Sequence, residues 1–257
     1  MTAVITLALG AVIGVLLGLL GGGGSILAVP ALVYALGLGV EQAIPMSLIV
    51  VAVASAVGVL PRLRAGQVQW RLAAVFAVAG IPATLLGSTI GERVPQPVLM
   101  IGFAVLMIVA GIRMLADSAD AGTACTVGDG GINWRHCAPR SIPAGFVVGL
   151  LTGLFGVGGG FVIIPALVAL LGVQMSIAIG TSLLVIVANS AAGVLFHLDG
   201  ASIDWSITAA FVATAIGGSL IAGHYGTRLD TGRLQHWFAY LVFATAAYVL
   251  LDTIVLT

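Results

Sequence analysis

Gly18-Leu19-Leu20-Gly21-Gly22-Gly23-Gly24-Ser25 stands in the middle of an apolar run at residues 3–38, and Gly153-Leu154-Phe155-Gly156-Val157-Gly158-Gly159-Gly160 stands in the middle of another at 142–173. Each cluster is followed by the same four residues, Pro30-Ala31-Leu32-Val33 in the first run and Pro165-Ala166-Leu167-Val168 in the second. Glycine has the lowest helix propensity after proline. As one continuous helix either run would be about 45–50 Å long, against a bilayer core about 30 Å thick. The spacing predicts that each run is broken into two helical pieces at its glycines.

The rest of the chain places these runs in lipid. Hydrophobic residues make up 60% of it and charged residues 7%, where a soluble domain carries about 25% charge. The mean hydropathy is +1.22. A chain with so few charges cannot cover a water-facing surface. The net charge is zero, and every fixed positive charge is an arginine, which argues against a nucleic-acid partner. Further apolar runs at 43–60, 70–90, 98–115, 177–195, 205–225 and 234–256 complete an all-α polytopic membrane protein. The first run has no basic residue before it and no small-residue cleavage site after it, so it is expected to be retained. Only residues 116–141 are polar for long enough to be a loop.

An ungapped shift of 135 positions, from Gly18 to Gly153, also pairs Ser47 with Ser182, Ser55 with Ser190, Trp70 with Trp205, Arg93 with Arg228 and Asp117 with Asp252. Apolar composition does not align Trp, Arg, Pro and Gly by chance. The chain reads as one transmembrane domain over 1–257, made of a first repeat at 1–117, a cytoplasmic linker at 118–139 and a second repeat at 140–257. Arg62, Arg64 and Arg71 share one short loop, and the matching loop carries His197, Asp199 and Asp204 without an arginine. By the positive-inside rule these loops lie on opposite sides of the membrane. The repeats are therefore expected to be inverted, each with a glycine-broken helix pair, re-entrant or discontinuous, plus three transmembrane helices.

A half-helix that begins inside a membrane exposes its first N–H groups and the positive end of its dipole. That is an anion site made of backbone, and non-helical backbone is tolerated at such depth where it lines a cavity or is enclosed by protein. Gly23, Gly24 and Ser25 in one half and Gly158, Gly159 and Gly160 in the other are the candidate cradle, expected to converge on one point. Ser47, Thr181, Ser182 and Asn189 are candidate side-chain donors, with Ser55 and Ser190 two turns further on. Ser and Thr in membrane helices also satisfy their own helix carbonyls. No Asp, Glu, Lys or Arg is expected deep in a span, which argues against a cation pump. His224 and His197 are expected at helix ends. Cys125 and Cys137 lack metal-site spacing, no Lys follows the glycines as in a phosphate-binding loop, and no catalytic constellation is visible. No enzyme activity, cofactor or metal is expected.

Gly153–Phe161, Pro165, Ala178-Ile179-Gly180-Thr181-Ser182-Leu183, Ser190, Gly193, His197 and Gly200 together resemble the TauE/SafE family of sulfite exporter-like membrane proteins, and Gly21–Ser25, Pro30 and Ser47 repeat the pattern in the first half. Pro45-Met46-Ser47 departs from the Gly-Thr-Ser that the family often has there as well. The resemblance implies a transporter in the cell membrane, exporting small anions such as sulfite, sulfoacetate or thiosulfate. The implied partners are the anionic substrate and the lipid bilayer, and a homodimer is possible. An anion channel and a membrane-embedded assembly protein without a ligand are the alternatives.

Overall fold

The computed structural model of the chain describes residues 2–91, 93–116, 134–155, 160–197 and 203–256. Among them every regular element is helical: α1 Thr2–Leu20, α2 Gly23–Pro30, α3 Val40–Arg64, α4 Trp70–Gly91, α5 Gln96–Ala116, α6 Trp134–Phe155, α7 Gly160–Pro165, α8 Met175–His197, α9 Trp205–Gly226 and α10 Thr231–Leu256. Five of them contain stretches long and apolar enough to cross a membrane: Gln42–Arg64, Trp70–Gly91, Met175–Val194, Trp205–Gly226 and Gly232–Leu251. Shorter apolar stretches lie at Ile5–Leu20 and Ile101–Ile112. Large apolar side chains face outward, with Val78 75% exposed. Trp70 and Trp205, 61% and 65% exposed, open α4 and α9, where amphipathic rings suit the membrane–water boundary.

Glycine takes the place of bulk at the helix contacts. Along α1, a side chain at Gly10 would come within 2.8 Å of the Phe211 carbonyl, one at Gly14 would overlap the Ala215 carbonyl, and one at Gly18 would come within 2.5 Å of the Ser219 carbonyl. The contacts advance together, so α1 and α9 run parallel. The same holds for α4 and α6: Gly145 approaches Phe76, Gly149 meets Gly80, and Gly91 approaches Leu154. Helices in lipid gain little from hydrophobic exclusion, so close backbone approach supplies the packing energy. α3 and α8 pack the other way. Gly58 lies toward Leu183 and Gly193 toward Leu48, so ten residues forward on α3 match ten residues backward on α8.

Element positions recur at the sequence offset. Each short helix that follows a glycine cluster ends at a proline and passes into a π-helical segment, Ala31–Ala35 after Pro30 and Ala166–Leu170 after Pro165. Proline has no N–H and crowds the carbonyl four residues back, which frees the backbone to widen. Both segments close at a glycine with positive φ, Gly37 at 69° and Gly172 at 64°. Leu38 N then donates to Leu32 O and Val173 N to Leu167 O, which satisfies the terminal carbonyls.

One boundary differs from the sequence expectation. The loop expected at 116–141 gives way to helix from Trp134 onward, with Pro139 and Pro143 inside it. Ser141 and Ala144 are buried there, and tertiary packing of one face outweighs local propensity.

Candidate functional site

The first glycine cluster forms a reversal. α1 ends at Leu20, Gly21 takes φ 62°, and α2 starts back along α1: a side chain at Gly24 would lie 2.8 Å from the Ile13 carbonyl. Only glycine takes this backbone without strain. A Cβ at Gly21 would meet Ser182 Oγ at 2.8 Å and the side chains of Ile164 and Ile179 at 3.1 Å. The turn therefore presses directly on α8 and α7, and Gly21 and Ser182, far apart in sequence, touch. Ser25 is buried. Both its N–H and its hydroxyl donate to the Gly22 carbonyl, at 3.2 and 2.7 Å. The N–H groups of the first turn of α2, around Gly23 and Gly24, have no intrahelical acceptor. In the second half Gly160 opens α7, while Gly158 and Gly159 lie outside the described residues. Gly21 meets α7 at Ile164, four residues beyond Gly160.

Arg62 sits at a helix end, as expected of the arginines, yet it is buried. Expected in a loop beside Arg64 and Arg71, it occupies the last turn of α3 and is 0% exposed, whereas Arg64 and Arg71 are exposed. Its Nη2 donates to the carbonyls of Gly18 at 2.9 Å and Leu19 at 3.1 Å, and its Nη1 to Gln67 Oε1 at 3.4 Å. The broken end of α1 leaves carbonyls without intrahelical donors, and a guanidinium fork placed on them meets the negative end of the helix dipole. Gly226, the last residue of α9, packs against the same group, its Cβ position 3.0 Å from Nη2. Arg62 thus ties the ends of α1, α3 and α9 together just before the glycine reversal.

The turn after Arg62 also reaches α8. Gln69 N–H donates to Thr181 Oγ1 at 3.1 Å, and a side chain at Gly180 would overlap the Gln67 carbonyl. Gly180 lets the α3–α4 turn approach and Thr181 fixes it. The counterparts in the first half, Pro45 and Met46, can do neither. Ser182 and Ser47 return their protons to carbonyls of their own helices, at Ile179 (2.9 Å) and Ile44 (2.7 Å). Asn189 Oδ1, Ser55 Oγ and Ser190 Oγ are buried without a hydrogen-bond partner. His224 is exposed in the last turn of α9; the side chain of His197, like Asp199, Cys125 and the side chain of Cys137, lies outside the described residues.

The chain matches the family described as Sulfite exporter TauE/SafE over residues 6–249. This chain belongs to the TauE/SafE family. A probable membrane transporter protein of Xylella fastidiosa (strain Temecula1) is 34% identical over 253 residues, covering 96% of this chain and 94% of the relative. The probable membrane transporter protein YunE of Bacillus subtilis (strain 168) is 25% identical over 248 residues, covering 90% and 91%. No solved structure matches the chain. The TauE/SafE match spans both glycine clusters and every candidate donor, so this is a multi-pass membrane protein of a transporter family.

Sequence reasoning about this TauE/SafE protein missed Arg62, Gln67 and Gln69. The signal available for Arg62 was its place two residues past the apolar run that ends at Leu60.

Proposed function

We propose that this protein is a secondary transporter that exports small anions across the cell membrane, sulfur oxyanions or organosulfonates such as sulfite, sulfoacetate or thiosulfate. Its two halves, 1–117 and 140–257, take opposite orientations around a cytoplasmic linker, and one rocks against the other to expose the site to each side in turn. The antiparallel pairing of α3 with α8, helices at equivalent positions of the duplication, supports the opposite orientation. So does the exchange of partners, in which α1 of the first half lies on α9 of the second and α6 of the second lies on α4 of the first.

The single observation that carries the anion site is the contact of the Gly21 reversal with Ser182 across the two halves. It brings the turn that precedes α2 against the polar start of α8, and the free N–H groups of a helix start favour negative charge. The substrate class comes from the family. The proposed site takes Gly23, Gly24, Ser25, Thr181 and Ser182 at one turn and Gly158, Gly159, Gly160 and Ser47 at the other, with Asn189 seven residues along α8 from Ser182.

Reconstituted into liposomes, the protein should take up radiolabelled sulfite with saturable kinetics, accelerated by unlabelled sulfite inside. Gly21→Leu, which has no room for its side chain and no relaxed backbone, should abolish that uptake. Unsaturable flux without acceleration would mean a channel, and no flux of any sulfur oxyanion would refute the reading.

A further inference from the structure

Three buried oxygens without partners lie near the middle of the packed helices α3 and α8: Ser55 Oγ, Asn189 Oδ1 and Ser190 Oγ. Ser55 is 0% exposed and Ser190 1%. The contacts of Gly58 with Leu183 and of Gly193 with Leu48 put the midpoint of the antiparallel register near Val53 and Ala188. Ser55 stands two residues from that midpoint on α3, and Asn189 and Ser190 stand within two residues of it on α8. In this register the two serines are separated by about 6 Å along the helix axes, the span of hydroxyls grouped around a small oxyanion.

Their lack of partners is unusual for their setting. In lipid no water replaces a missing hydrogen bond, and serine normally gives its proton to a carbonyl three or four residues back. Ser25, Ser47, Ser182, Thr84 and Thr89 do so here. Ser219, which is also fully buried, donates to the Ala54 carbonyl at 2.8 Å. Thr152 Oγ1 on α6 is also buried without a partner; the crossing differs in having two equivalent serines and an amide oxygen near it. A hydroxyl can donate to an anionic oxygen, whereas the free Asn189 oxygen can only accept. The set fits an oxyanion that keeps one proton.

We propose that the α3–α8 crossing is a second contact point for substrate, where Ser55 and Ser190 donate to a small oxyanion and Asn189 accepts its remaining proton. It rests on the transporter reading and lies eight residues, about 12 Å, along α8 from Ser182.

The test measures thermal stabilisation of purified protein by sulfite and by sulfate at equal ionic strength near neutral pH. Sulfite is partly protonated there and sulfate is not. The double variant Ser55→Ala/Ser190→Ala should keep or raise the melting temperature without ligand, because an unpaired buried hydroxyl costs stability. It should bind sulfite about tenfold more weakly for each hydroxyl removed. Asn189→Leu should lose the preference for sulfite over sulfate. Ser219→Ala, whose hydroxyl is already paired, should melt lower and bind as the wild type does. A double variant that melts as low as Ser219→Ala would make the hydroxyls structural and overturn the proposal. Wild-type protein that sulfite does not stabilise would overturn this proposal together with the anion reading. Binding intact in both wild type and double variant would overturn this proposal alone.

Discussion

The polar groups where α3 ends and α8 starts are committed, and those at the crossing of the same two helices are not. At the committed end Arg62 holds the carbonyls of Gly18 and Leu19, Thr181 accepts from Gln69, and Ser182 is bonded to Ile179. At the crossing Ser55, Asn189 and Ser190 hold no protein partner. Where a helix is broken in lipid, the freed backbone groups must be met by protein, and the committed residues do that. Thr84, Thr89 and Ser219, in unbroken stretches, are paired with helix carbonyls, so the unpaired groups at the crossing are the exception. The same residue type, serine, therefore carries different meanings eight positions apart on one helix.

Substitutions should grade along this contrast. Arg62→Met strands two carbonyls and should cost the most stability, about 3 kcal/mol, measured as unfolding in detergent. Arg62→Lys should recover part of it, since one ammonium reaches a carbonyl but cannot fork. Thr181→Val leaves the Gln69 N–H without its acceptor and should cost about 1–2 kcal/mol. Its effect on sulfite uptake should combine the loosened α3–α4 turn with the loss of the hydroxyl from the proposed site. Thr181→Ser, which keeps the acceptor, should then restore uptake, and a variant that stays inactive would sharpen the contrast differently by making the methyl group essential. Ser47→Ala removes only a bond to its own helix and should change stability by under about 0.5 kcal/mol. A larger loss there would break the division between committed and free groups.

Much of the fold was legible because lipid imposes long apolar runs, and their limits survive in the helices. Trp70 and Trp205 open α4 and α9 as the aligned tryptophans suggested. The close helix contacts at Gly10, Gly14, Gly18, Gly145 and Gly149 were not read from the sequence, because which helices meet is not visible in one chain. Arg62 was misread because arginine near a turn normally snorkels to water; its burial depends on carbonyls that only the α1 break makes free. The gain from Gly180 was equally hidden, since its partner, the Gln67 carbonyl, lies in another half of the sequence. Hydroxyls cannot be sorted into paired and free by sequence, because the choice depends on rotamer and neighbours.

The central claim is that equivalent parts of the duplication face opposite sides of the membrane. Gly39, just before α3, and Gln174, just before α8, stand at equivalent positions and are both exposed. Gly39 has extended backbone, and a side chain added there meets nothing. In a background with Cys125 and Cys137 changed to serine, Gly39→Cys and Gln174→Cys would be exposed in intact cells to a thiol reagent that does not cross membranes. The account predicts that Gly39→Cys is labelled from outside and that Gln174→Cys is labelled only after the cells are opened. Labelling of both from the same side would contradict it.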